Sequence, residues 1–116
     1  MQNPPMITPL MEDLLNLPVE IRQGDERWVR SVVAETSEGD QLVLTWDEVA
    51  QSTSIRWRMG GREVLVMERE YVVEVAVSQE DGNLVMLVRT HSEGLEGTLR
   101  VQVGSSVHVV DALLAR

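Results

Sequence analysis

Regular alternation of apolar and polar residues is the feature that most constrains how this chain folds. From position 70 to 78 every second side chain is apolar, which is the period of a half-buried β-strand, and these side chains are Tyr71, Val73, Val75 and Val77. Ser54–Met59 alternates in the same way. Leu84–Val88 is apolar on both faces, which is typical of a central strand or of one covered on both sides. The pattern predicts a mainly β chain.

The strand pattern is repeated along the chain. Two segments, Val19–Trp46 and Arg62–Val88, each read as three short strands interrupted by a break and an acidic turn. Their best-matched stretches, Thr36–Leu44 and Ser78–Met86, start 42 positions apart. Two three-strand meanders of one pattern predict a small antiparallel β-barrel or a β-sandwich of about eight strands.

Tight turns separate the predicted strands. Four residue pairs have the composition of hairpin tips: Gly39-Asp40, Gly60-Gly61, Asp81-Gly82 and Gly104-Ser105. The last of these turns would join strands at 98–103 and 106–110, and this hairpin would close the two repeated units. We expect Asp111 to cap a final half-turn of helix at the end of the chain.

The N-terminal region predicts a leader and one short helix. Residues 1–7 are expected to be a flexible leader, and residues 8–116 a single domain. Thr8 suits the N-cap of a helix, with Pro9 at the first helical position. The apolar stripe of this helix consists of Leu10, Met11, Leu14 and Leu15. A helix of about two turns is not stable alone, so we expect it to dock on the end of the sheet.

Composition excludes several classes of function. The chain has 19 acidic and 10 basic residues, for a formal net charge of −9. Such a charge repels phosphate backbones and anionic lipid, so nucleic-acid binding is disfavoured. Cysteine is absent, which excludes disulfides and thiolate metal sites. With no signal-peptide pattern and no segment near the roughly 20 apolar residues of a membrane span, we expect a cytoplasmic protein without membrane insertion.

Histidines are the first candidates for catalysis, and the chain has two, His91 and His108. We expect His91 in a loop and His108 exposed on a strand. Ser106, His108 and Asp111 are the residue types of a hydrolytic triad, but on an extended strand Ser106 and His108 would stand about 7 Å apart, too far for a hydrogen bond between nucleophile and base. The sequence has no cluster of metal ligands and no phosphate-binding glycine loop. We therefore predict no catalytic residues, no metal and no cofactor.

Three arginines form the most specific candidate binding site. Arg56 and Arg58 point the same way from one predicted strand, and Arg62 follows directly after the Gly60-Gly61 turn. Three guanidinium groups this close could bind a phosphate or a carboxylate through paired hydrogen bonds. The alternative is that they pair across the strands with Glu63 or Glu68.

Part of the chain carries a family resemblance. The stretches concerned are Arg62–Met67, then Tyr71, Val73 and Val77, then Leu84–Leu87. Their order resembles the N-terminal β-barrel of flagellar-brake-type PilZ proteins, which are bacterial cyclic-di-GMP receptors. That family continues with a basic linker of paired arginines, where this chain has Leu95–Val101 with Arg100 alone, and its D/N-x-S-x-x-G signature is absent here. The resemblance therefore implies a stand-alone regulatory module that contacts another protein.

Three functions follow from these observations, in order of preference. The first is a non-enzymatic interaction or regulatory module, which binds a protein partner or forms a homodimer through strand edges or through Arg56, Arg58 and Arg62. The second is a receptor domain in which the same arginines hold a small anion or a nucleotide of the cyclic-dinucleotide type. The third is an enzyme with a site assembled from His91 and scattered carboxylates.

Overall fold

The structure, a computed structural model, describes residues 4–115, which form one short helix and nine strands in two antiparallel sheets. Helix α1 is Met11–Leu14. The first sheet has the order β1-β2-β3-β4-β5, with strands Glu20–Gln23, Val29–Glu35, Gln41–Asp47, Ser52–Met59 and Arg62–Arg69. The second has the order β6-β7-β8-β9, with strands Val72–Glu80, Asn83–Ser92, Leu95–Val103 and Val107–Ala115. Every pair of neighbouring strands is also consecutive in sequence, so each sheet is a simple meander.

Of the two architectures that the alternation predicts, the sandwich is the one observed. In the described part of the chain β5 pairs only with β4, and β6 only with β7, so the two sheets do not join into a closed barrel. One apolar cluster is built from the inner faces of both sheets; its fully buried members include Leu42, Leu44, Trp46, Ile55, Met86, Leu99 and Val101. Burial of each such side chain contributes about 1.5–3 kcal/mol to folding, so this cluster is the main source of stability.

The central strand of the second sheet behaves as its sequence predicts. β7 lies between β6 and β8, and Leu84, Val85, Met86 and Val88 are all buried. Adjacent residues on a strand point to opposite faces, so Val85 is buried on the outer face while Leu84 and Met86 are buried in the core. The prediction that Leu84–Val88 is central or covered on both sides is confirmed.

The two repeated segments share only a hairpin, because the second of them does not form a three-strand meander. Val19–Trp46 covers β1, β2 and β3, which do form a meander. Arg62–Val88, however, is divided between the sheets, because the Gly60-Gly61 hairpin pairs β5 with β4 while β6 pairs with β7. What recurs is the β2–β3 hairpin around Thr36–Leu44 and the β6–β7 hairpin around Ser78–Met86.

The first strand of the second sheet departs from strict alternation. The pairing between β6 and β7 shifts register between Val72 and Glu74, which is a β-bulge. As a result Val72 and Val75 are both buried. Tyr71 precedes the strand and lies at the surface. The prediction that Tyr71, Val73, Val75 and Val77 share one face of a single strand is therefore wrong.

The hairpin turns match their glycine signals. Gly60 and Gly61 have φ of 58° and 80°, and Asp81 and Gly82 have φ of 52° and 80°. Two consecutive positive φ angles are those of the type I′ turn, whose twist matches that of the flanking strands. Gly39 also has a positive φ, of 92°. The turns predicted at these positions are confirmed.

The C-terminal segment is a strand and not the expected half-turn. β9 runs from Val107 to Ala115 and pairs with β8 along its whole length, with Asp111 opposite Leu99. β8 is long enough for this because it begins at Leu95, directly after a turn at Glu93-Gly94. The same turn places His91 on β7, so its assignment to a loop is wrong.

The N-terminal helix is shorter than predicted. α1 has four residues, its N-cap is Leu10, and no side chain caps it. Thr8 instead donates its hydroxyl hydrogen to Glu48 Oε1 over 2.9 Å, so its predicted role as N-cap is wrong. The helix does dock as expected, but through Leu14, which is fully buried; the other members of the predicted stripe, Leu10, Met11 and Leu15, are exposed.

Part of the expected leader contacts the second sheet. Met6 is buried, Ile7 donates its backbone N–H to Val73 C=O over 3.0 Å, and Val75 N–H donates to Ile7 C=O over 2.8 Å. These contacts form an isolated parallel bridge along the outer edge of β6. Residues 4–7 are thus held against the sheet, while residues 1–3 lie outside the described part of the chain.

Candidate functional site

The two sheets are joined by a link of two residues, Glu70 and Tyr71, and the backbone of Tyr71 is strained there. Its φ is 57°, in the left-handed region that a bulky side chain rarely adopts. Hydrogen bonds on both sides hold this conformation: Val72 N–H donates to Gln51 C=O over 3.0 Å, and His91 N–H donates to Tyr71 C=O over 3.1 Å. Such strain costs about 1–3 kcal/mol and is concentrated at functional sites.

An open pocket of about 350 Å³ lies beside this link; we call it the Tyr71 pocket, and it is lined by Pro4, Gln51, Tyr71, Val72, Val73, His91, Ser92 and Glu93. Its volume is within the range of sites that take a small ligand or a partner's side chain. The rim is braced by Gln51, which donates its side-chain amide to Pro4 C=O over 2.7 Å. Three of the lining residues, Gln51, Tyr71 and Glu93, have positive φ.

The Tyr71 pocket offers an aromatic ring and several polar groups in one place. Tyr71 is 60% exposed. His91 Nδ1 lies 3.6 Å from Glu96 Oε1 on the neighbouring strand. Ser92 contributes a hydroxyl group, and Glu93 contributes a carboxylate that could attract a cation over the ring. The arrangement suits recognition of an amphipathic or cationic side chain.

Catalytic groups do not assemble into a triad. Ser106 Oγ and His108 Nε2 lie 3.2 Å apart, so the prediction that they stand too far apart for a hydrogen bond is wrong. The reason is that Ser106 belongs to the bend at 104–106 and not to an extended strand. Asp111 cannot complete the set, because its carboxylate pairs with Arg69 of β5, on the opposite face of β9 from His108. Among residues 4–115, no group of three His, Asp or Glu side chains could hold a metal ion.

The three predicted arginines lie on and around the β4–β5 hairpin. Arg56 Nη1 contacts Glu63 Oε1 at 2.7 Å in a half-exposed cross-strand pair, which is the alternative that the sequence left open for it. Arg58 is opposite Glu63 in register, and Arg62 is opposite Met59. For these two arginines, no carboxylate of residues 4–115 lies within 4.0 Å. None of the three lines the Tyr71 pocket, and their role in binding stays a prediction.

A thermal-shift measurement with pyrophosphate and a cyclic dinucleotide tests the arginine site. An anion present at one hundred times its Kd would stabilise the folded chain by about 2.7 kcal/mol, which raises Tm by roughly ten degrees in a domain of this size. We expect the double substitution Arg58→Ala, Arg62→Ala to remove that shift. The control is Arg22→Ala, Arg27→Ala, which changes the net charge equally. If neither anion shifts the wild-type protein, the anion-receptor function is excluded for these ligands.

Comparison with known proteins gives a likeness of fold. No family model matches the chain, and no curated protein matches it in sequence. A chain in the solved contact-dependent growth inhibition toxin–immunity protein complex from Klebsiella pneumoniae 342 superposes with a TM-score of 0.73. The superposition covers 94% of this chain and 97% of that chain at 12% sequence identity. The two chains therefore share the mainly β fold from end to end.

Among the described residues, no helix is long and apolar enough to cross a membrane.

Proposed function

We propose that this chain is a non-enzymatic module that binds another protein, as one half of a pair of the toxin–immunity kind, with Tyr71 as an anchor of the interface. The observation that carries the proposal is the exposed side chain of Tyr71, held at positive φ on the rim of an open pocket. The fold likeness supports the kind of pair, because the similar chain belongs to a toxin–immunity protein complex.

An exposed tyrosine is an efficient anchor for a protein interface. Tyrosine is enriched among the few residues that supply most of the binding energy, since it offers a large rigid surface and a hydroxyl group. This chain has four aromatic residues, three tryptophans and one tyrosine. Trp46 is in the core, Trp57 packs against that core, and Trp28 is partly buried. The tyrosine is the aromatic side chain that the sheet crossing turns outward, beside a pocket that can receive a side chain of the partner.

The net charge indicates a basic partner. At −9 the chain attracts positively charged proteins over long range and repels other acidic ones. Two carboxylates lie near the tyrosine: Glu70 precedes Tyr71 in the sequence, and Glu93 lines the Tyr71 pocket. Such complementarity accelerates association and selects partners. Binding of this kind requires no catalytic group in this chain, because covering the basic surface of the partner is sufficient to block access to that surface.

The resemblance to flagellar-brake-type PilZ proteins leads to the same class of function. A regulatory β module that contacts another protein is what that resemblance implies, and a cytoplasmic location is consistent with both. Assignment to the PilZ-associated family is a separate proposal. The thermal-shift measurement with a cyclic dinucleotide, described above for the three arginines, tests it.

Affinity capture with matched baits tests the protein-binding function. Immobilised wild-type protein, Tyr71→Ala and Leu15→Ala are exposed to a lysate of the source organism at low salt, and each retained protein is identified and purified. We expect a basic protein that is retained by the wild type and by Leu15→Ala but not by Tyr71→Ala. Calorimetric titration of that purified protein should show a loss of at least about 2 kcal/mol, roughly 30-fold in Kd, on Tyr71→Ala.

Leu15 is the control because its side chain is exposed on the short helix and does not line the Tyr71 pocket. Binding of the basic partner should also weaken as salt is raised, since screening removes long-range attraction. If every protein that binds the wild type binds Tyr71→Ala equally well, Tyr71 is not an anchor and the proposal fails.

A further inference from the structure

The two sheets have four edge strands, and three of them are protected. β1 is only four residues long and carries Glu20 and Arg22. β5 has charged residues at both ends, and its pairing with β4 is interrupted by a register shift. The outer edge of β6 is partly occupied by Ile7. Shortness, charge, irregularity and cover are the means by which proteins prevent strand edges from pairing with other chains.

The fourth edge, β9, is the least protected of the four. It is nine residues long and pairs regularly with β8 on its inner side. Three of its apolar side chains are largely exposed: Val110 by 57%, Leu113 by 71% and Leu114 by 64%. They point to both faces of the sheet, since Leu113 and Leu114 are consecutive. Leu95, next to the end of β9 in register, is also exposed.

The charge on β9 is already neutralised within the described chain. Its carboxylate, Asp111, forms an ion pair with Arg69 of β5 across the gap between the sheets. A basic partner would therefore find no unpaired carboxylate on β9. An apolar strand, in contrast, would contact the exposed apolar side chains of β9. Antiparallel pairing is self-complementary under a twofold axis, so the same edge on a second copy supplies the matching hydrogen-bonding groups and side chains.

We propose that β9 pairs antiparallel with β9 of a second copy of this chain, which joins two four-stranded sheets into one sheet of eight strands. A groove of about 220 Å³ beside β9, lined by Gly97, Leu99 and Leu113 together with the Arg69–Asp111 ion pair, leaves room for a side chain of the other copy. This homodimer is independent of the protein-binding function proposed above, because the Tyr71 pocket lies on other residues.

The charges of the two copies give the dimer a distinctive salt dependence. Each copy carries −9, so the copies repel one another over long range although the edge itself is apolar. Screening this repulsion should strengthen the dimer as salt is raised. Binding of a basic partner should weaken under the same change, so salt separates the two associations.

Sedimentation equilibrium over a wide range of protein concentration, at low and at high salt, tests the proposal. We expect the wild type to dimerise more tightly at high salt, and the double substitution Val110→Lys, Leu114→Lys to weaken the dimer by at least about tenfold in Kd, since edge lysines oppose strand pairing. Both positions are exposed, so circular dichroism should show an unchanged fold.

Two comparisons make the outcome specific. Leu10→Lys, Leu15→Lys introduces the same charge at exposed positions outside β9 and should dimerise like the wild type, as should Tyr71→Ala. A wild type that stays monomeric at high concentration and high salt overturns the proposal. So does a dimer that withstands the β9 substitutions, because its interface then lies elsewhere.

Discussion

Replacing Trp46 by alanine should lower the free energy of unfolding by about 3–5 kcal/mol. Trp46 is 1% exposed and is the largest of the fully buried side chains. It lies on β3, the central strand of the first sheet, and faces the cluster that both sheets share. Because a domain of this size is stable by only about 5–15 kcal/mol, the variant should lose a large share of its stability. Urea titration followed by far-ultraviolet circular dichroism measures the change.

Two further substitutions identify the cause of that loss. Trp57→Ala should cost clearly less, because Trp57 is only partly buried and its indole N–H makes only a long hydrogen bond, of 3.4 Å, to Asp40 Oδ2. Trp46→Phe should also cost less than Trp46→Ala, because most of the ring volume remains and the Trp46 indole N–H has no hydrogen-bond partner among residues 4–115. If Trp57→Ala were the most destabilising of the three, the core would not be centred on Trp46.

The sequence predicts local structure well because the determinants of strands and turns are local. Alternation along β3 places Leu42, Leu44 and Trp46 on one face, and those three side chains are buried. The Gly60-Gly61 and Asp81-Gly82 pairs fix the type of turn through their φ angles. These features follow from the geometry of a few consecutive residues, and no knowledge of distant contacts is needed.

The division into two sheets could not be read in the same way. Which strands pair is decided by contacts between residues far apart in sequence, and the repeat was consistent with pairing β5 to β6. What separates these strands is the link at Glu70 and Tyr71, which does not continue a hairpin: Tyr71 C=O accepts from His91 N–H, and Val72 N–H at the start of β6 donates to Gln51 C=O. The bulge after Val72 has no distinct signal either, since Val72 and Val73 are both apolar.

The candidate site, too, could be predicted from the sequence only where its residues are close together along the chain. Arg56, Arg58 and Arg62 were found from spacing around one turn, and the structure does place them around that hairpin. The Tyr71 pocket combines residues from four separate stretches of the chain, so spacing could not reveal it. A tyrosine within an alternating run is most simply read as a core-facing strand residue. Only its backbone conformation, set by the crossing between sheets, distinguishes it.

Tyr71→Gly should separate binding from stability at the site. Glycine adopts positive φ without the cost of about 1–2 kcal/mol that other residues incur, and the exposed ring contributes little to the core. Compared with Tyr71→Ala, which keeps the strain but lacks the ring, the glycine variant should therefore be more stable by about 1 kcal/mol. Both variants should lose the basic partner, since both lack the anchor.

Comparing the glycine and alanine variants separates the effect of the backbone conformation at position 71 from the effect of the aromatic ring. Both remove the same aromatic ring, so any difference in their urea midpoints reports the backbone at position 71, and the equal loss of partner binding reports the ring. Tyr71→Phe keeps the ring and should retain most of the affinity. If Tyr71→Gly were less stable than Tyr71→Ala, the left-handed conformation would not be strained. A glycine variant that still binds the partner would mean that the tightly held link, and not the tyrosine side chain, forms the interface.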